Sequence, residues 1–161
     1  MRKQLFAVVM AAALLTACGS KKAAFQFSQD IVKKERSLIT DIEKTEDAVE
    51  RYNAAEQFDS IAIVGEKMES LIEEKVKEIK AMKAPKAKGA EEFKSAALHY
   101  FEFMKSLYTG YKNYGKAPSA EERDKVIQDV MKIVNDKDKA IKDMQTAQKK
   151  YADDNNFKLE N

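Results

Sequence analysis

Residues 88–118 read KGAEEFKSAALHYFEFMKSLYTGYKNYGKAP. Between Gly89 and Pro118, apolar residues recur at three- and four-residue steps: Phe93, Ala97, Tyr100, Met104, Leu107, Tyr111 and Tyr114. That period is helical, and Glu91 and Glu92 favour the positive end of the helix dipole in the first turn. The stretch predicts a helix from Ala90 to Tyr114, with Gly115 as the residue just past its end and Pro118 barring continuation.

The same pattern extends in both directions. Upstream, Pro85 and Gly89 close a helix that Asp59 caps and whose stripe is Ile61, Val64, Met68, Leu71, Ile72, Val76, Ile79 and Met82. Before it, Ser28 is the candidate N-cap of a helix over residues 28–55, with Ile31, Leu38, Ile42, Thr45, Val49 and Tyr52 on one face. Downstream, Ser119 and Glu122 match a capping box. They open a fourth helix, to about Asp153, carrying Ile127, Val130, Val134, Ile141, Met144 and Tyr151. Four long amphipathic helices on short connections predict an all-α, up-down-up-down four-helix bundle with antiparallel helices over residues 28–157, followed by a tail, 158–161. The alternative is a three-helix core with one helix pair extended into a coiled coil.

The first 17 residues have a different character. Arg2 and Lys3 precede an uninterrupted apolar run from Leu5 to Leu15, followed by the small residues Thr16 and Ala17. This is the layout of a secretory signal peptide, and the run is shorter than the ~20 apolar residues a spanning helix needs. Leu15, Thr16 and Ala17 stand directly before Cys18, the single cysteine of the chain, and the four resemble a bacterial lipobox. The resemblance implies that Leu15, Thr16 and Ala17 are read by the signal peptidase, that residues 1–17 are removed, and that Cys18 carries a diacylglycerol and further acyl chains such as palmitate. Two or three chains, at ~0.8 kcal/mol per buried CH₂, anchor a protein firmly. Residues 18–27 then read as the lipidated cysteine and a short tether, whose Lys21 and Lys22 lie within reach of anionic headgroups.

Taking 17 residues from 161 leaves 144, enough for one domain with a modest core. The net charge of +2 resides in the leader, so the remainder holds 27 basic and 27 acidic side chains. Such balance lacks the basic excess of a nucleic-acid binder. With Cys18 acylated, no disulfide forms within the chain, and packing alone must hold the domain.

KGAEEFKSAALHYFEFMKSLY (residues 88–108) and AQKKYADDNNFKL (residues 147–159), taken with the lipobox, resemble a family of uncharacterised small helical lipoproteins of Bacteroidetes and spirochaetes. The resemblance implies a helical bundle and brings no catalytic residue with it. Lys21 and Lys22, where surface-exported lipoproteins of that kind carry acids, point to the outer membrane facing the periplasm, with the cell surface as the alternative.

Chemistry is sparse. His99 is the only histidine, so neither a pair of Glu-x-x-His motifs nor an HExxH zinc motif exists. A haem between His99 and Met68 or Met144 is the one cofactor weighed, against the ordinary reading of a rim histidine; no cofactor and no metal are expected. No nucleophile turn or phosphate loop is present. Paired acids such as Glu73-Glu74 read as solvated surface. These points argue for a protein that is not an enzyme.

The unusual feature is aromatic crowding, since the third helix holds seven of the fourteen aromatics. Residues 100° apart cannot all face one core. Tyr100, Phe101, Met104, Tyr108 and Tyr111 are therefore the candidate contact surface, set against the plainer reading of a broad buried face. The expected function is a lipid-anchored envelope protein that binds an envelope protein or a second copy of itself; the alternative is a carrier of a small apolar ligand near Tyr100, Met104 and Tyr111.

Overall fold

A computed structural model describes residues 3–159, with side chains from Gly19 onward. The side chains of Leu15, Thr16, Ala17 and Cys18 lie outside the described residues. The elements are α1 (Lys3–Arg36), α2 (Ile39–Ala54), α3 (Phe58–Ala81), α4 (Ala90–Lys116), α5 (Ala120–Asn135) and α6 (Lys137–Asp154). They form four antiparallel arms. α1 and α2 make the first, α3 the second, α4 the third, and α5 with α6 the fourth, so the protein is an all-α four-helix bundle.

Two expected helices are broken. The first arm is interrupted at Ser37 and Leu38, where the Ser37 hydroxyl donates to the Lys34 carbonyl at 2.7 Å and Leu38 is buried in the core. The fourth is interrupted at Asp136, which keeps right-handed angles.

The connections follow local rules. Ser119, in extended conformation, accepts from the Glu122 amide at 3.2 Å, as the capping box requires. Gly89 has φ +76°, a left-handed angle that glycine adopts without strain. Lys94 donates to the carbonyls of Lys80 and Met82 at 3.0 and 2.6 Å, satisfying the end of α3. The cap predicted at Asp59 is not formed; Gln57 precedes α3 and makes no side-chain cap.

α3 and α4 are the tightest pair. A Cβ on Gly65 would lie 2.7 Å from the Lys112 nitrogen, and one on Gly115 would lie 2.5 Å from the Phe58 carbonyl oxygen. Gly115 therefore sits inside α4, where backbone meets backbone, rather than past its end as its position before Pro118 suggested. Along the flank run Glu66–Lys116 at 3.3 Å, Glu69–Lys112 at 2.5 Å, Glu73–Lys105 at 2.9 Å and Lys80–Glu102 at 3.0 Å. Adjacent acids read as solvated surface thus divide their roles: Glu73 joins the seam while Glu74 stays exposed.

The core has two clusters. Leu38, Met68, Ile72, Val76, Ile79, Phe101 and Met104 fill the middle of the rod. The end where α1, α4 and α6 meet is aromatic: Phe93 stacks on Tyr151 at 5.1 Å and Phe27 sets its edge against both. This corrects the expected tether. Residues 19–27 are helical, and Ala24, Phe27 and Ser28 are buried, because Phe27 is needed to complete the aromatic end. Ser28, predicted as a cap, instead sits buried within α1.

Candidate functional site

α4 presents its tyrosines to the first arm in register. Tyr100 donates to Glu35 Oε1 at 2.9 Å, Tyr108 and Tyr111 donate to the two oxygens of Glu46 at 2.8 and 2.9 Å, and Tyr114 donates to Asn53 at 2.7 Å. Aromatic bodies fill the interface and each hydroxyl ends on a polar group at its edge. Burial, reinforced by the carboxylate each one faces, pushes Tyr100, Tyr108 and Tyr111 well above the ordinary phenol range. They stay neutral donors at physiological pH.

The aromatic flank of α4 is accordingly not an open surface. Phe101, Met104 and Tyr108 are buried, and Tyr100 and Tyr111 are half-buried against the first arm. The reason is that the first arm supplies acceptors, Glu35, Glu46 and Asn53, which let tyrosines occupy an inner face. The sequence signal was acids on the inner side of the first helix, between its apolar residues; they were missed because acids at helical spacing ordinarily face water.

The exposed apolar surface lies elsewhere. α5 contains no buried residue, and Ile127, Met131 and Val134 are 40, 62 and 46 % exposed. Ile127 and Val134 were expected to face inward. α5 instead rests on α4 through Val130, whose methyl occupies the notch at Gly110, and on the start of α3 through Arg123, whose guanidinium lies 3.9 Å from the Phe58 ring centre. These two contacts leave the adjacent face of α5 uncovered. Between α2 and α5 opens a hollow of about 230 Å³ lined by Val49, Tyr111, Tyr114, Ile127, Val130 and Met131. Met131 was absent from the stripe read in the sequence, although Ile127, Met131 and Val134 share one helix face at steps of four and three.

His99 is exposed and lines a second open hollow, of about 580 Å³, with Glu92, Tyr100, Asp136, Lys139 and Asp143. Met68 and Met144 are buried in different core clusters. The structure therefore does not bring His99 into a common core with either methionine. Among the described residues no group of three or more His, Cys, Asp or Glu side chains is arranged to hold a metal ion. Among them, too, no helix is long and apolar enough to cross a membrane. Comparison with protein-family models, with curated proteins and with solved structures found no match for the chain.

Proposed function

We propose that the chain is a lipid-anchored lipoprotein of the bacterial envelope, attached through Cys18, whose bundle binds an apolar helix of an envelope protein. The lipobox at Leu15, Thr16, Ala17 and Cys18 supports the anchor. The observation that carries the binding role is the exposed stripe of Ile127, Met131 and Val134 on a helix with no buried residue. Two helices, α2 and α5, flank an apolar hollow beside that stripe, and anchors at i, i+4 and i+7 are what a partner helix reads. We read the protein as a binder rather than an enzyme because the hydroxyls and carboxylates gathered along α4 are engaged with one another. The outer membrane facing the periplasm is the proposed location, with the cell surface second.

The test is a photo-crosslinking residue at Met131 in the full chain in its own cells. A cross-link to one envelope protein that disappears in Ile127→Asp/Val134→Asp, with melting unchanged, supports the reading. A cross-link to a second copy replaces the partner with self-association. Failure to cross-link, or a cross-link indifferent to the aspartates, defeats it. The anchor is tested separately: a Cys18→Ala variant that still sediments with membranes would sink it.

A further inference from the structure

The charge balance of the chain hides a separation. The end of the rod formed by residues 19–24, 82–92 and 149–159 holds eight lysines and four acids. The opposite end, residues 53–60 and 113–124, holds five acids and two basic residues. Counting the described residues of these segments, one end is net +4 and the other net −3. The three segments of the basic end are joined by contacts. Lys88 pairs with Asp154 at 2.9 Å, Asn155 donates to the Lys88 carbonyl at 2.9 Å, and Phe25, the residue directly after the first segment, packs edge-on against Phe157 at 5.7 Å.

The lysines of this end behave unlike those of the α3–α4 seam. Along the seam, Lys80, Lys105, Lys112 and Lys116 all engage carboxylates. At the basic end, Lys21, Lys22, Lys83, Lys86, Lys149 and Lys158 are exposed and make no ion pair among the described residues. Six lysines from three segments thus stand at one end without an ion-paired carboxylate. Cys18 precedes this end directly: the core begins at Ala24, six residues on, which at helical rise is about 9 Å. That is about one Debye length at 0.1 M salt, the range over which a charged surface is felt.

We propose that this end is a docking surface for the phosphates of anionic lipid headgroups, which sets the rod upright on the membrane with its acidic end outermost. The inference rests on the anchor reading, because acylation at Cys18 is what brings these lysines to the bilayer. Attraction at one end and repulsion at the other act together, so the charge separation orients the domain as well as holding it. Ile127, Met131 and Val134 lie on a separate element, along the side of the rod, and remain accessible in that orientation.

The experiment uses the full chain extracted from membranes and reconstituted into vesicles of phosphatidylcholine alone or mixed with phosphatidylglycerol. An amine-acylating reagent is mapped lysine by lysine. Expected is a several-fold slower labelling of Lys83, Lys86, Lys149 and Lys158 on the anionic vesicles, lost at high salt, with Lys125 unchanged. In Lys83→Glu/Lys86→Glu, two exposed loop positions, protection of Lys149 and Lys158 should fall as well. Equal labelling on both vesicles overturns the proposal. Equal protection by a short DNA oligonucleotide without vesicles overturns its assignment to lipid. The intact mass of the same sample reports acylation of Cys18 independently. If no acyl mass is found, the anchor reading fails, while labelling of that sample with added vesicles still decides docking.

Discussion

The hydroxyl of Tyr108 donates to Glu46 across the seam between α4 and α2 at 2.8 Å, from a side chain only 2 % exposed. Tyr111 occupies the other oxygen of the same carboxylate. One acid thus completes two phenols, and α4 can be crowded with aromatics because the first arm supplies acceptors at matching heights.

Removing that acid should cost more than its own interactions. Glu46→Ala leaves the hydroxyls of Tyr108 and Tyr111 without an acceptor, and a stranded buried polar group costs about 1–3 kcal/mol. Urea unfolding should show a loss of about 2–3 kcal/mol, and Glu46→Gln, which retains one acceptor oxygen, a smaller one. A loss no larger for Ala than for Gln would mean that water satisfies both phenols.

The helix-to-helix approach at Gly115 should be equally sensitive. A Cβ there would meet the Phe58 carbonyl oxygen and the Ala62 backbone, neither of which can swing aside. Gly115→Ala should destabilise by about 2–3 kcal/mol, in the range of overpacking. At Gly110 the obstacle is the side chain of Val130. Gly110→Ala should therefore be rescued in large part by Val130→Ala, whereas Gly115→Ala finds no such partner. Thermal melts of the four variants check both statements.

Tyr151 is the contrasting tyrosine. Its hydroxyl is buried without a hydrogen-bond partner among the described residues, and burial pushes the phenol up to about 12. Its ring stacks on Phe93, so Tyr151→Phe keeps the packing and removes the stranded group. Stability should rise by about 1 kcal/mol, seen as a higher melting temperature; an unchanged or lower value would indicate that the hydroxyl is satisfied in solution.

The pH dependence has two sides. Lysine hydrogen bonds hold Glu73, Glu78 and Glu102 below the ordinary carboxylate value of 4.5. At Glu69 burial pushes upward, but the bonds from Lys112 and Thr109 and the charges of Lys112 and Lys105 outweigh it. Folded values below unfolded ones give stability that is complete above pH 4.5 and lost as pH falls through the folded values. Tyr100, Tyr108 and Tyr111 shift upward, so their contribution is complete below the ordinary value of 10.0 and lost as pH rises beyond it. Urea midpoints should hold between these limits and fall outside them. Lys105→Met, which removes the bridge between Glu73 and Glu102, should flatten the acid limb.

Several features were legible from spacing alone. The stripe from Phe93 to Tyr114, the Ser119 cap and the breakers Pro85 and Gly89 are local signals, and each acts within a few residues of where it is read. Ser28 and Gly115 misled for the same reason: a serine before an apolar run resembles a cap, and a glycine before Pro118 resembles a helix end, until a neighbouring helix claims the position.

The sequence by itself determined the helical class, the number of arms, their connections and the Leu15–Cys18 motif on which the anchor is proposed. Period, capping and chain-breaking residues are properties of the local backbone. Only the tertiary structure decided which face of each arm is inside. It buried Phe101 and Tyr108, left Ile127, Met131 and Val134 in water, and gathered unpaired lysines from three separate segments at one end. Those outcomes depend on what stands opposite: a carboxylate at position 46, a backbone at position 62, a loop at residues 82–89. Sequence distance carries no record of such partners, because a bundle brings together residues that its turns place far apart along the chain.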